Sequence, residues 1–241
     1  MQLSLRSLVT VTSLVVTASC SGPPAPVVPV EPTSPGPEAG LLTARALVRA
    51  APADWQSHWQ RLRKMDKSAT PAILRALREQ PEGHGSQAAI HLLGEAADVR
   101  AKTFLLELLH GGDERGAEAA LALGKLADTT TIGSLKTAAQ SAATPMTTRA
   151  AAAAALVTMG EGPSVVSFLE AIFLAASPYA SASSRQHKIP ANKTRWAHER
   201  YMIIEALRGR YRGETFGLDE DSSWPAMRAA AAKMAKRLRR K

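Results

Sequence analysis

The chain has 241 residues, 45% of them apolar, which is enough for the core of one or two domains, yet only 5% are aromatic and a single cysteine, Cys20, is present. One cysteine excludes an intrachain disulfide and a cysteine-built metal cage. The net charge of +9 sits at one end, because residues 185–241 hold 15 of the 30 Lys and Arg but 6 of the 21 Asp and Glu.

Residues 1–19 read as an export signal: Arg6 supplies the positive start, and residues 8–16 form an apolar run too short to span a bilayer permanently. The run ends in Val16-Thr17-Ala18-Ser19-Cys20, small residues directly before a cysteine. This end resembles a bacterial lipobox, in which the cysteine becomes the lipidated first residue of the mature chain. The resemblance implies lipidation of Cys20 and anchorage in a bacterial membrane. Ser21 in the next position favours the outer membrane, with the chain facing the periplasm.

Residues 20–40 (CSGPPAPVVPVEPTSPGPEAG) are rich in proline, which fixes φ and lacks an amide proton, so this stretch reads as an extended tether. At about 3.1 Å per residue it would reach roughly 60 Å. Helices are expected from there on. A short one at 41–50 closes the open end of the domain. The next, at 54–65, starts on Asp54 as N-cap and places Trp55, Trp59 and Leu62 on one face. Thr70-Pro71 opens the one after, with Ile73, Leu74 and Leu77 inward. Further pairs fall at 86–95 with 98–110, 113–125 with 128–140, and 145–159 with 164–176.

Two of these pairs repeat almost the same words. HLLGEAAD at 91–98 returns as LALGKLAD at 121–128, thirty residues on, and a degraded copy, LVTMGEGP, stands at 156–163. The glycine is expected to break one helix, and the aspartate to cap the next. A unit of helix, turn and helix at this period is the mark of an α-solenoid, whose units bury a continuous core only when stacked. These residues resemble HEAT repeats of the short bacterial kind. The resemblance implies an all-α, right-handed array of about five helix pairs over residues 41–241. The six alanines at 150–155 fit a helix packed closely on its neighbours.

The period breaks at 177–193 (SPYASASSRQHKIPANK), which reads as an irregular loop. A helix resumes at 194–207 with Arg200 in the middle of its apolar face. HEAT repeats often carry an inward arginine bonded to an adjacent repeat, and Arg200 is similar in position, so the resemblance gives it a structural role. The chain closes with RGRYRG at 208–213 and a helix at 224–238. The segment around Phe216, Gly217 and Asp219 resembles the last unit of bacterial HEAT-like proteins, which covers the open end. This end holds the cations that could take an anion or a partner: Arg208, Arg210, Arg212, Lys233, Lys236, Arg237, Arg239, Arg240 and Lys241. A solvated helix end, where cations meet the negative pole of the dipole, accounts for several of them equally well.

No catalytic motif is present: G-x-G-x-x-G, G-x-x-x-x-G-K-[ST], H-E-x-x-H and G-x-S-x-G are all missing from the sequence. His58, His84 and His91 lack metal-ligand spacing, so no metal ligand or cofactor site is expected. Bilin lyases and some DNA glycosylases also carry HEAT-like repeats, but here the first resemblance stops at the repeats. The second would need chromosomal DNA, which an exported, anchored chain does not meet. The expected function is therefore a non-catalytic envelope scaffold. Its partners would be an unidentified protein or peptide, the membrane through Cys20, and an anionic envelope polymer at the basic end. A polyanion or nucleic-acid binder using that basic quarter is the alternative.

Overall fold

In the computed structural model, the structure describes residues 37–51, 53–113, 115–174, 197–211, 213, 216, 217 and 224–239. The chain divides into two units, Met1–Thr33 and Ser34–Lys241, and every described residue belongs to the second. The expected signal at 1–19, Cys20, the tether as far as residue 36 and the loop at 177–193 lie outside the described residues.

The described residues form helices and turns, with no strand among them. The helices are α1 (Pro37–Arg49), α2 (Trp55–Met65), α3 (Thr70–Glu79), α4 (Ser86–Ala96), α5 (Lys102–His110) and α6 (Arg115–Leu126), followed by α7 (Ile132–Gln140), α8 (Met146–Met159), α9 (Val166–Leu174), α10 (Ala197–Arg210) and α11 (Trp224–Arg239). Short 3-10 turns at Asp66–Ala69, Val99–Ala101, Thr129–Thr131 and Gly162–Val165 lead into α3, α5, α7 and α9. The described part of the chain is thus all-α.

Several helix ends differ from expectation for identifiable reasons. α1 begins at Pro37, four residues before the expected start, since proline's fixed φ suits a first turn whose amides have no partner in the helix. Asp54 flanks α2 without accepting a bond from it. Thr70 lies inside α3, because the preceding 3-10 turn already carries the chain into the helix. Most informative are Gly94 and Gly124, which sit inside α4 and α6 instead of ending them. The left-handed residues that follow these two helices are alanines, Ala97 at φ 46° and Ala127 at φ 54°.

The two glycines serve packing. A Cβ on Gly94 would lie 2.7 Å from Ala122 Cα, and one on Gly124 2.8 Å from Ala155 Cα, so the bare backbones of α4 and α6 touch the helix that follows in the stack. α2 packs on α4, α4 on α6, α6 on α8 and α8 on α10, while α5 lies against α6 and α7 against α8. α8 has neighbours on three sides, and residues 150–157 are all buried. Alanine suits such a position, because a larger side chain would hold the surrounding helices apart.

Aspartates hold the turns before α5 and α7, within the helix pairs, and the turn before α6, between two pairs. Asp98 accepts a bond from the Arg100 amide at 3.0 Å, Asp113 from the Arg115 amide at 2.9 Å, and Asp128 from the Thr130 amide at 2.9 Å. Bonds from the Arg100 side chain, and after it from the Arg100 amide, hold the Asp98 carboxyl down at about 2. Lys102 and Thr130 hold Asp128 at about 2 in the same way.

These depressed values set an acid limit. A carboxyl whose folded pKa lies below its unfolded value of about 3.9 contributes stability that is fully present above pH 4 and is lost as the pH falls towards 2. Urea midpoints of the wild type should therefore drop between pH 4 and pH 2. Asp98→Asn combined with Asp128→Asn should be less stable at pH 7 and show a visibly shallower drop. Parallel curves for the two proteins would show that these carboxylates do not carry the acid response.

Candidate functional site: the basic C-terminal end

The last helices gather cations that are far apart in the chain. α11 buries Ala230, Ala231, Met234, Ala235 and Leu238, which recur every three or four residues, and so turns Lys233, Lys236, Arg237 and Arg239 to solvent. Its end is seated on the 3-10 turn before α9, where a Cβ on Gly162 would fall 2.3 Å from a Leu238 methyl. Arg239 donates to Glu170 of α9 at 2.9 Å. From α10, the Arg210 guanidinium reaches Gly160, which ends α8 at φ 91°. A cation there faces the negative pole of the α8 dipole.

The connection between α10 and α11 is pinned by an aromatic pair. Phe216 is buried, at φ 56°, and meets Tyr211 edge-on with ring centres 6.3 Å apart. Arg237 lies over the Tyr211 ring at 5.1 Å, and Gly217 follows at φ 80° beside the Lys233 ammonium. Phe216 is thus part of the buried apolar cluster of the domain. Asp219 lies outside the described residues.

Of the predicted cations, the structure groups Arg210, Lys233, Lys236, Arg237 and Arg239 around this end. Arg208 is engaged locally, donating to Glu205 at 2.6 Å. Arg212, Arg240 and Lys241 lie outside the described residues. Lys236 is exposed and makes no ion pair with a described residue. The cluster offers charge and hydrogen-bond donors to an anion.

The chain matches no protein-family model, no curated protein and no solved structure.

Arg200 stands apart from these surface cations. It is 2% exposed, and its Nε and Nη2 donate to the Ile172 carbonyl of α9 at 3.0 and 2.8 Å. Burial pushes its pKa down to about 10, against the pull of the neighbouring Glu199 carboxylate. It is therefore charged at neutral pH and ties α10 to α9 across the segment at 175–196.

Sequence reasoning missed a second polar feature. A cleft of about 540 Å³ between α2, α4 and α6 has Leu62, Ile73 and Leu92 in its walls and Arg63, Glu95 and Lys125 at its rim. Arg63 and His91 approach Glu95 at 3.3 and 3.4 Å, and Lys125 Nζ lies 3.1 Å from His91 Nε2. The Arg63–Glu95 ion pair joins α2 to α4 and the Lys125–His91 contact joins α4 to α6, so the polar groups around the cleft brace these helices against one another. The one available signal was that Glu95 and Lys125 hold the same place in the repeat, directly after its glycine. Among the described residues no three His, Cys, Asp or Glu gather as a metal site would need, and no helix is long and apolar enough to cross a membrane.

Proposed function

We propose that this chain is a non-catalytic interaction scaffold of a bacterial cell envelope, built as an α-solenoid of HEAT-like helix pairs and hung from the membrane by a lipid on Cys20. The observation that carries the reading is the succession of glycine contacts, Gly94 on Ala122 and then Gly124 on Ala155, which sets each repeated helix against the next in chain order. Units related in this way leave a long row of helix faces, a geometry suited to a peptide or a protein partner. The leader that ends at Cys20 and the proline-rich stretch after it support export to the envelope, with the outer membrane facing the periplasm as the destination. Two acyl signals on one cysteine would hold the chain stably, since each buried methylene contributes about 0.8 kcal/mol.

Growth with a radioactive fatty acid should label the wild type and leave Cys20→Ser unlabelled, with the variant released from the membrane fraction. Equal labelling of both proteins, or none in either, removes the anchor from the proposal and leaves the scaffold to stand alone. The second reading, a binder of anionic polymers, is favoured by one feature: α11 turns Lys233, Lys236 and Arg237 to solvent, and Lys236 has no ion-pair partner among the described residues.

A further inference from the structure

The segment 1–184 is balanced in charge, yet the structure does not spread its arginines evenly. α3 presents Pro71, Leu74, Arg75 and Arg78 along one side, and with Glu79 and Arg100 these line an open cleft of about 480 Å³. Pro71 and Leu74 form an apolar floor, and three guanidiniums stand around it.

The carboxylates close to this cleft are already occupied. Glu79 receives Arg45 from α1 at 2.7 and 2.8 Å and Arg75 at 3.0 Å. Asp98 is held by the Arg100 side chain, whose Nη2 also donates to the Lys67 carbonyl at 2.8 Å. Among the described residues no carboxylate lies in ion-pair range of Arg78, whose guanidinium lies 5.7 Å from the centre of the Phe104 ring. A guanidinium near an aromatic ring gains a cation–π contact that uses none of its five N–H donors, so these stay available for an anion. Arg75 and Arg100 are fixed by their existing bonds and retain donors of their own, since each guanidinium has five. The arrangement is preorganised, which lowers the ordering cost of binding.

The apolar floor decides what kind of anion fits. A polyphosphate or an acidic polysaccharide would leave Pro71 and Leu74 uncovered, whereas a peptide can set an aliphatic side chain on them. The cleft is open along α3, so a small acid would stay largely wet, and an extended chain would gain contacts on both sides. We propose that this cleft docks an acidic peptide segment of a partner protein, with one aliphatic side chain on Pro71 and Leu74 and the flanking carboxylates on Arg75, Arg78 and Arg100. The inference goes beyond the anchored-scaffold reading and holds whether or not Cys20 carries lipid.

The test uses the full chain and a fluorescein-labelled peptide of alternating Glu and Leu, followed by anisotropy. The wild type should bind it, and should bind it more weakly at about 0.5 M salt, where screening is within a few Å. Arg78→Glu should weaken binding about tenfold or more. Pro71→Asp should do the same by placing a carboxylate on the floor, and an aspartate is well tolerated in the first turn of a helix. Both variants should keep the wild-type thermal transition. Lys236→Glu with Arg237→Glu should bind within about twofold of the wild type. A peptide of Glu and Ser should bind about tenfold more weakly than the Glu and Leu peptide. No binding by the wild type, or unchanged binding by Arg78→Glu, overturns the proposal. Loss in the Lys236 and Arg237 variant moves the site to the basic end and overturns it too. Equal binding of the Glu and Ser peptide reduces the effect to attraction for any polyanion.

Discussion

Gly124→Val is expected to destabilise the domain by about 3 kcal/mol, while Gly133→Ala, nine residues further on, should stabilise it by about 0.5 kcal/mol. Intrinsic helix propensity would have both changes favourable, since glycine is the poorer helix former at each position. Contact reverses the sign at Gly124. A Cβ there would stand 2.7 Å from Ala155 Cβ and 2.8 Å from Ala155 Cα, and the obstacle is backbone, which cannot swing aside as a flexible side chain can. α8 cannot retreat as a unit, because α7 and α10 press on its other sides. At Gly133 nothing lies within 4 Å, so only the gain in backbone order remains. For a domain of this size 3 kcal/mol corresponds to roughly 6–12 °C in the thermal midpoint. Thermal melts of the two variants beside the wild type decide the matter. A neutral Gly124→Val would mean that α6 and α8 do not meet as closely as the structure places them, and would remove the main support for a stack of like units.

The repeated units were legible because their words recur: LGEAAD and LGKLAD announce the same turn twice, and Asp98 and Asp128 do bond to the amide two residues on. The alanine run was legible as well, since residues that are all small can pack closely on every side, and residues 150–155 are buried without exception. What the repeat could not tell was the task of its glycine. Propensity marks glycine as a helix breaker, whereas the constraint on Gly94 and Gly124 comes from Ala122 and Ala155, far along the chain and on another helix. Alanines took the left-handed positions instead, a choice that propensity disfavours. The arginine cleft was hidden for a related reason. Counting charges by segment showed balance in the first three quarters, but Glu79 and Asp98 are used up by Arg45, Arg75 and Arg100, and this leaves Arg78 unmatched only once α1, α3 and the turn before α5 are brought together.

Arg200→Ala is expected to cost about 3 kcal/mol, and Arg200→Met only about 1 kcal/mol. Two terms oppose each other at this site. Burial of the guanidinium is unfavourable, as its pKa of about 10 records, and removing the charge relieves that cost. Against this, the Ile172 carbonyl loses two donors at 3.0 and 2.8 Å, and Glu199, itself 8% exposed, loses the cation beside it. Alanine adds a cavity to these losses, between α9 and a face that already buries Ile203 and Leu207 completely. Methionine refills much of that volume with a flexible apolar chain, so the difference between the two variants isolates packing from charge. Hydrogen exchange supplies the finer check. In the stack proposed above, neighbouring units open with some independence, so amides of α9, α10 and α11 should exchange faster in Arg200→Ala, while those of α4 and α6 keep their protection. Wild-type stability in the alanine variant would show that the bonds to Ile172 do not hold α10 in place, and uniform loss of protection from α1 to α11 would show that the array unfolds as one body instead of unit by unit.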